Sequence, residues 1–191
     1  MKNICDKNKK MNCCTTNRVS ETKGSVLDEI SGPSEAMAET DRCVGCNGKG
    51  KAVSRKTVIL MLKPDSLERA MSGSYSFCQS PDCPVVYFEE TGARHFTVDD
   101  LRIRVGLKVK DDPIPLCYCF GFDESHIREE IAQTGHTSVP ARIARLIREG
   151  LCACDTRNPA GVCCLGEVNK CARRLALELV SVGNQESAGE Q

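Results

Sequence analysis

The chain has 191 residues, and its 26 basic and 26 acidic side chains give a formal net charge of zero. That balance argues against bulk electrostatic attraction to nucleic acid or to an anionic membrane surface. Aromatic bulk is scarce, with five Phe, three Tyr and no Trp against 14 Cys, so disulfides or metal ions are expected to staple the fold.

Residues 1–40 are polar, rich in Ser, Thr, Lys, Asn and Glu, and show no sustained apolar period. They read as a disordered tail carrying Cys5 and the adjacent Cys13–Cys14. An export signal needs a basic start and then an apolar stretch of about 7–15 residues, and none is seen. The longest aliphatic run, Val58–Leu62, is too short to cross a bilayer. We therefore expect a cytoplasmic protein without membrane insertion, where clustered Cys more often bind metal than form disulfides.

From Arg42 to about Lys110 the signals are strand-like. They include the run Val58–Leu62, the β-branched and aromatic run Pro84–Phe88 after a Ser80-Pro81-Asp82 turn, and an alternation of Leu101, Ile103, Val105 and Leu107 with polar residues. A short helix follows Pro64 and closes near Gly73. Asp111-Asp112-Pro113-Ile114-Pro115 is too Pro-rich to continue either a strand or a helix and marks a join.

Beyond Cys117 the period turns helical. Asp123 can cap a helix, with Phe122 and Ile127 as a hydrophobic staple. Ser138 precedes a second helix whose Val139, Ile143, Leu146 and Ile147 share a face and which Gly150 ends. Leu165, Val168, Ala172, Leu175 and Leu179 form a third apolar stripe with Cys171 on its apolar side, as core. Gly183–Gln191 resembles the N-terminal tail in composition. The expected fold class is α+β, with a tail (1–40), a zinc-bound β-rich module (41–112), a helical module (113–182) and a second tail (183–191).

Two constellations carry chemistry. Cys43-Val44-Gly45-Cys46 is a C-x-x-C turn in which Gly45 is expected to let both thiolates meet one ion. Cys78 and Cys83 enclose Gln79-Ser80-Pro81-Asp82 as a second knuckle. Four thiolates from two turns fit a closed tetrahedral zinc site with no open position for an activated water. His95 is left out, because a lone His near a thiolate set is more often a surface residue. The second constellation is Cys117-Tyr118-Cys119, then a stretch holding two expected helices, then Cys152-Ala153-Cys154 and Cys163-Cys164. Asn158-Pro159-Ala160-Gly161 between them suits a type I turn. Thiolates at separated pairs suit zinc or a [2Fe-2S] cluster. His126 and His136 read as exposed helix-end residues.

Here a resemblance enters. The run CYC, two helices and CACDTRNPAGVCCLG resembles the [2Fe-2S] module of bacterioferritin-associated ferredoxins. The span from Cys43 to about Cys171, through CVGC, FCQSPDCPVVYF, RVGLK, PLCYC and NPAGVCC, resembles the N-terminal module of CopZ-type copper chaperones. That resemblance implies a zinc site at Cys43, Cys46, Cys78 and Cys83, followed by a [2Fe-2S] site. It implies Cys117, Cys119, Cys154 and Cys164 as the cluster set, with Cys152 and Cys163 as rivals. The heavy-metal-associated domain that usually follows in this family is not seen after Cys171, so Cys13–Cys14 is a second candidate for a soft cargo ion such as Cu(I). The implied partners are a metal-transporting ATPase, another metal-handling protein or a redox partner.

The resemblance implies an iron–sulfur metallochaperone whose cluster reduces Cu(II) or relays one electron, and not an enzyme. A small electron carrier without cargo is the alternative. A zinc-ribbon nucleic-acid module is disfavoured by charge and by the lack of aromatics for stacking, Arg142, Arg145 and Arg148 being read as a solvated helix face.

Overall fold

A computed structural model describes residues 41–70 and 73–186, with side chains as far as Glu178. The tail expectation for residues 1–40, including Cys5, Cys13 and Cys14, lies outside the described residues, as do residues 187–191. The fold is α+β, as expected.

The first half is built on an antiparallel sheet in the order β1 (Gly50–Val53), β2 (Tyr75–Cys78), β3 (Val85–Glu89) and β4 (His95–Thr97). Cys78 ends β2 opposite Gly50, and Cys83 stands two residues before β3, so the tight link between the central strands is the second cysteine knuckle. Every residue of β2 and β3 is buried. A register shift between Val85 and Tyr87 sends both Val86 and Tyr87 into one core with Tyr75, Phe77 and Phe96. Val85 and Phe88 instead pack with Cys43, Cys78 and Cys83.

The run Val58–Leu62, expected among the strand signals, is mostly helical. Helix α1 (Arg55–Met61) is capped by Ser54, whose Oγ accepts from the Thr57 amide at 3.1 Å. Thr57, Val58 and Met61 are its buried side chains. A short aliphatic run fits a buried helix turn as well as a strand, and the cap decided it. The helix expected after Pro64 is a 3-10 helix, Pro64–Arg69, which closes at Ala70 rather than Gly73.

The alternating segment 101–107 is not a strand. Leu101 makes one isolated bridge, to Leu62, and the chain then turns, with the Lys108 amide donating to the Val105 carbonyl at 2.7 Å. Leu101 and Val105 are buried while Leu107 is exposed. Gly106 lies so close to Pro115 that a Cβ would stand 1.9 Å from its carbonyl oxygen, and this close approach replaces sheet pairing.

The second half opens with a small hairpin, β5 (Pro115–Cys117) and β6 (Phe122–Asp123). Helix α2 (Glu124–Thr134) is capped by Asp123, which accepts from the His126 amide at 3.2 Å. Phe122 and Ile127 share a core, as a staple requires. Helix α3 (Val139–Arg148) begins after Ser138, but Ser138 does not cap it. Its amide and hydroxyl donate to the Glu130 carboxylate, and Thr137 Oγ1 accepts from the Val139 amide at 3.2 Å.

Helices α2 and α3 pack on α5 (Leu165–Glu186) around Ile127, Ile131, Val139, Ile143, Val168, Cys171 and Leu175. Each such buried aliphatic side chain contributes about 1.5–3 kcal/mol. Helix α5 runs four residues into the segment read as a tail from Gly183. Gln and Glu are good helix formers and prolong a helix already nucleated by its packed turns.

The halves keep separate cores, but the chain crosses between them. The short helix α4 (Cys154–Arg157) and the turn after it rest on residues of the first half. Among the described residues no helix is long and apolar enough to cross a membrane.

Candidate metal centres

Cys43, Cys46, Cys78 and Cys83 come together with all four sulfurs within 4.8 Å of one another. Cys43 and Cys83 are 3.8 Å apart, and Cys46 and Cys78 are 3.7 Å apart. A tetrahedron of sulfurs about 2.3 Å from one zinc has edges of about 3.8 Å. The first knuckle is closed by the Asn47 amide donating to the Cys43 carbonyl at 2.8 Å. Its left-handed residue is Asn47, with φ of 57°, and not Gly45. Gly45 is needed for space, since a Cβ there would meet Val85 at 3.0 Å and the Cys83 sulfur at 3.1 Å.

Cys43, Cys78 and Cys83 are buried and Cys46 is exposed. Burial pushes the three buried thiols up, while the Gly48 amide holds Cys46 down at about 7. Lys108, whose ammonium donates to the Ser80 carbonyl at 2.5 Å, leans over the second knuckle and favours thiolate at Cys78. A divalent ion fits this donor set.

The second constellation differs in shape. Cys117 ends β5 and is buried; Cys119 follows in the turn closed by the Gly121 amide on the Cys117 carbonyl at 2.9 Å. Cys154 opens α4, and Cys164 stands just ahead of α5, its carbonyl accepting from the Val168 amide at 3.0 Å. The Cys119 and Cys154 sulfurs are 3.7 Å apart. Interaction with Cys164 draws the Cys117 thiol down to about 6, and Cys164 itself is pushed well up.

Among the described residues the first set is the one group whose three or more ligand atoms all lie within 4.8 Å. The second set is more open, with Cys119 and Cys154 as a close pair within it. Thiolates arranged this way suit a group with two metal atoms or a single ion.

The rivals are placed differently. Cys163 is exposed and Cys152 half-buried. Asn158 builds the expected turn, its carbonyl accepting from the Gly161 amide at 2.8 Å and its Oδ1 from the Ala160 amide at 3.0 Å. Cys171 is core, as expected, and its sulfur lies 3.6 Å from the buried Glu124 carboxylate. That carboxylate is clamped by Arg128 and Arg174, each at 2.6 Å. The sequence reading missed this cluster, since three helix positions on two elements carry no joint signal. His95, His126 and His136 are exposed and stand apart from both sulfur sets, and Arg142, Arg145 and Arg148 are exposed on α3.

Residues 40–102 match the zinc binding domain family zf_CopZ. In an alignment of 149 positions the chain is 30% identical to the copper chaperone CopZ of Archaeoglobus fulgidus, with 72% of this chain and 70% of that protein covered. The chain belongs to the CopZ family. The solved N-terminal domain of Archaeoglobus fulgidus CopZ superposes with a TM-score of 0.54 at 29% identity, covering 68% of this chain and 95% of that domain. The zinc binding domain match takes in the first sulfur set and ends before the second. The first half is a zinc-binding domain of CopZ type.

Proposed function

We propose that this protein is a non-enzymatic carrier of a soft metal ion, copper first among them, in which a zinc site holds the sheet and a [2Fe-2S] site provides one-electron chemistry. Cys43, Cys46, Cys78 and Cys83 hold the zinc; Cys117, Cys119, Cys154 and Cys164 hold the cluster. The observation that carries this reading is the 3.7 Å approach of the Cys119 and Cys154 sulfurs, separate from the four-sulfur knot. Membership of a family that includes a copper chaperone supports copper as cargo.

Bound there, a [2Fe-2S] cluster supplies one electron at a time, enough to take Cu(II) to the Cu(I) that thiolates retain. A backbone donor reaches one of these sulfurs. The Ala153 amide donates to the Cys119 sulfur at 3.4 Å and favours negative charge there. Cys119 is part-exposed, which leaves an edge for electrons to enter or leave. In this reading the protein works in the cytoplasm. It meets a metal-transporting ATPase or another metal-handling protein.

The test is anaerobic purification with zinc, iron and labile-sulfide analysis and EPR, followed by addition of Cu(II) to dithionite-reduced protein freed of excess reductant, with a Cu(I) chromophore. One Cu(I) per reduced cluster is expected. Folded protein without iron or sulfide removes the cluster. An intact cluster that leaves Cu(II) untouched removes copper reduction and leaves an electron carrier without cargo.

A further inference from the structure

The segment bearing Cys154 belongs to the second half by sequence but is held by the first. Thr57, fully buried on α1, donates from Oγ1 to the Asp155 carbonyl at 2.5 Å. Tyr87, fully buried on β3, donates to the Pro159 carbonyl at 2.9 Å. Ala160 packs against the first core, and a Cβ on Gly161 would stand 3.5 Å from Val53. Helix α4 is a single turn, so its carbonyls have few partners of their own; the Thr57 hydroxyl provides one for Asp155, and the Tyr87 hydroxyl holds the turn that follows.

The link reaches the zinc knuckle. Tyr87 lies four residues after Cys83, and its cross-strand partner Phe77 directly precedes Cys78. An ion joining Cys78 to Cys83 ties that end of the β2–β3 pair and so fixes where the Tyr87 hydroxyl points. Without it the strand ends open locally.

We propose that Thr57 and Tyr87 are positioning residues for the second sulfur site, and that zinc at the first site preorganises Cys154 and Cys164 through them. This rests on the reading that Cys154 and Cys164 hold the cluster. By linkage the coupling is reciprocal, so a filled second site also tightens zinc binding.

The experiment measures amide hydrogen exchange on the full chain, zinc-loaded but cluster-free, and again after zinc removal. The reporters are the Asn158 and Gly161 amides, which close onto the Cys154 and Asn158 carbonyls at 3.1 and 2.8 Å. Tyr87→Phe and Thr57→Val each delete one hydroxyl. Tyr75→Phe is the control, because the Tyr75 hydroxyl is buried in the same core without a hydrogen-bond partner. Thr57→Ser restores the donor.

We expect exchange at both reporters to rise about ten-fold in Tyr87→Phe and Thr57→Val, as for a lost hydrogen bond to a buried carbonyl, and at least as much on zinc removal. Tyr75→Phe and Thr57→Ser match the wild type. In cluster-loaded protein the two deleting variants shift the EPR signature and release iron to a chelator about ten-fold faster.

Unchanged exchange in both deleting variants overturns the proposal, as does insensitivity to zinc. Should Tyr87→Phe loosen the β3 amides as well, Thr57→Val, which lies off the sheet, decides. If Cys154→Ser and Cys164→Ser both retain iron and sulfide, the cluster assignment fails. The exchange data still report whether the hydroxyls hold the segment.

Discussion

The Cys119 and Cys154 sulfurs stand 3.7 Å apart, although α2 and α3 lie between them in the chain. Neither residue reaches the other through local structure: one sits in the turn after β5, the other opens α4. Single Cys→Ser changes at Cys117, Cys119, Cys154 or Cys164 are expected to abolish iron and labile sulfide. Cys152→Ala and Cys163→Ala are expected to keep both. Analysis of anaerobically purified variants checks this, and an intact cluster in Cys154→Ser alongside an empty Cys152→Ala would reverse the assignment.

Cys43, Cys78 and Cys83 pack directly with Val85 and Phe88, so zinc held there as proposed also holds a core. Cys78→Ser, or zinc removal by a chelator, is expected to lower unfolding free energy by at least about 4 kcal/mol, the range reached when a point change also loses a metal. Denaturant titration with and without zinc measures it. A midpoint unaffected by chelation would show that the sheet stands by its own packing.

Two glycines should respond in opposite directions. Gly106→Ala places a methyl 1.9 Å from the Pro115 carbonyl oxygen, and the backbone shift is expected to cost about 1–3 kcal/mol. Gly166 lies in α5 with nothing within 4 Å of an added Cβ. Gly166→Ala is expected to stabilise by roughly 0.5–1 kcal/mol. Thermal unfolding of the two variants against the wild type gives both signs in one experiment.

Asp100 gives a pH dependence. Burial pushes its carboxyl up, but the Thr97 amide at 2.8 Å, the Ser66 hydroxyl at 2.8 Å and the Arg69 guanidinium together hold it below the ordinary aspartate value. A carboxylate depressed in the folded state contributes stability that is fully present above its unfolded pKa and is lost as pH falls through its folded pKa. Asp100→Asn is therefore expected to be less stable than the wild type near neutrality, with the gap closing below about pH 4. Paired melting curves across that range test it; a gap independent of pH would remove the charge from the account.

Much of the site was legible because its signals are local. The C-x-x-C and C-x-C spacings name the sulfurs, and Asn158 to Gly161 spell out a turn that forms as written. Helices α2, α3 and α5 follow from their apolar stripes. The helix at Arg55–Met61 was hidden because Val58–Leu62 is too short to show a period, and Ser54 decides it through one hydrogen bond. Leu101–Leu107 alternates in sequence without pairing, since Gly106 is drawn against Pro115 instead. The contacts of Thr57 with Asp155 and of Tyr87 with Pro159 join residues far apart in the chain, and no spacing rule links them. Gly45 was assigned to the turn, yet its role is to leave room for Val85 and Cys83.

Of the first four sulfurs, Cys46 is the one that reaches the surface. With zinc held there as proposed, and because thiolates leave a metal stepwise, a competing thiol or chelator is expected to make first contact at Cys46. In that reading exchange runs through a single leg of the tetrahedron, three residues setting how tightly zinc is held and the fourth how fast it can be traded.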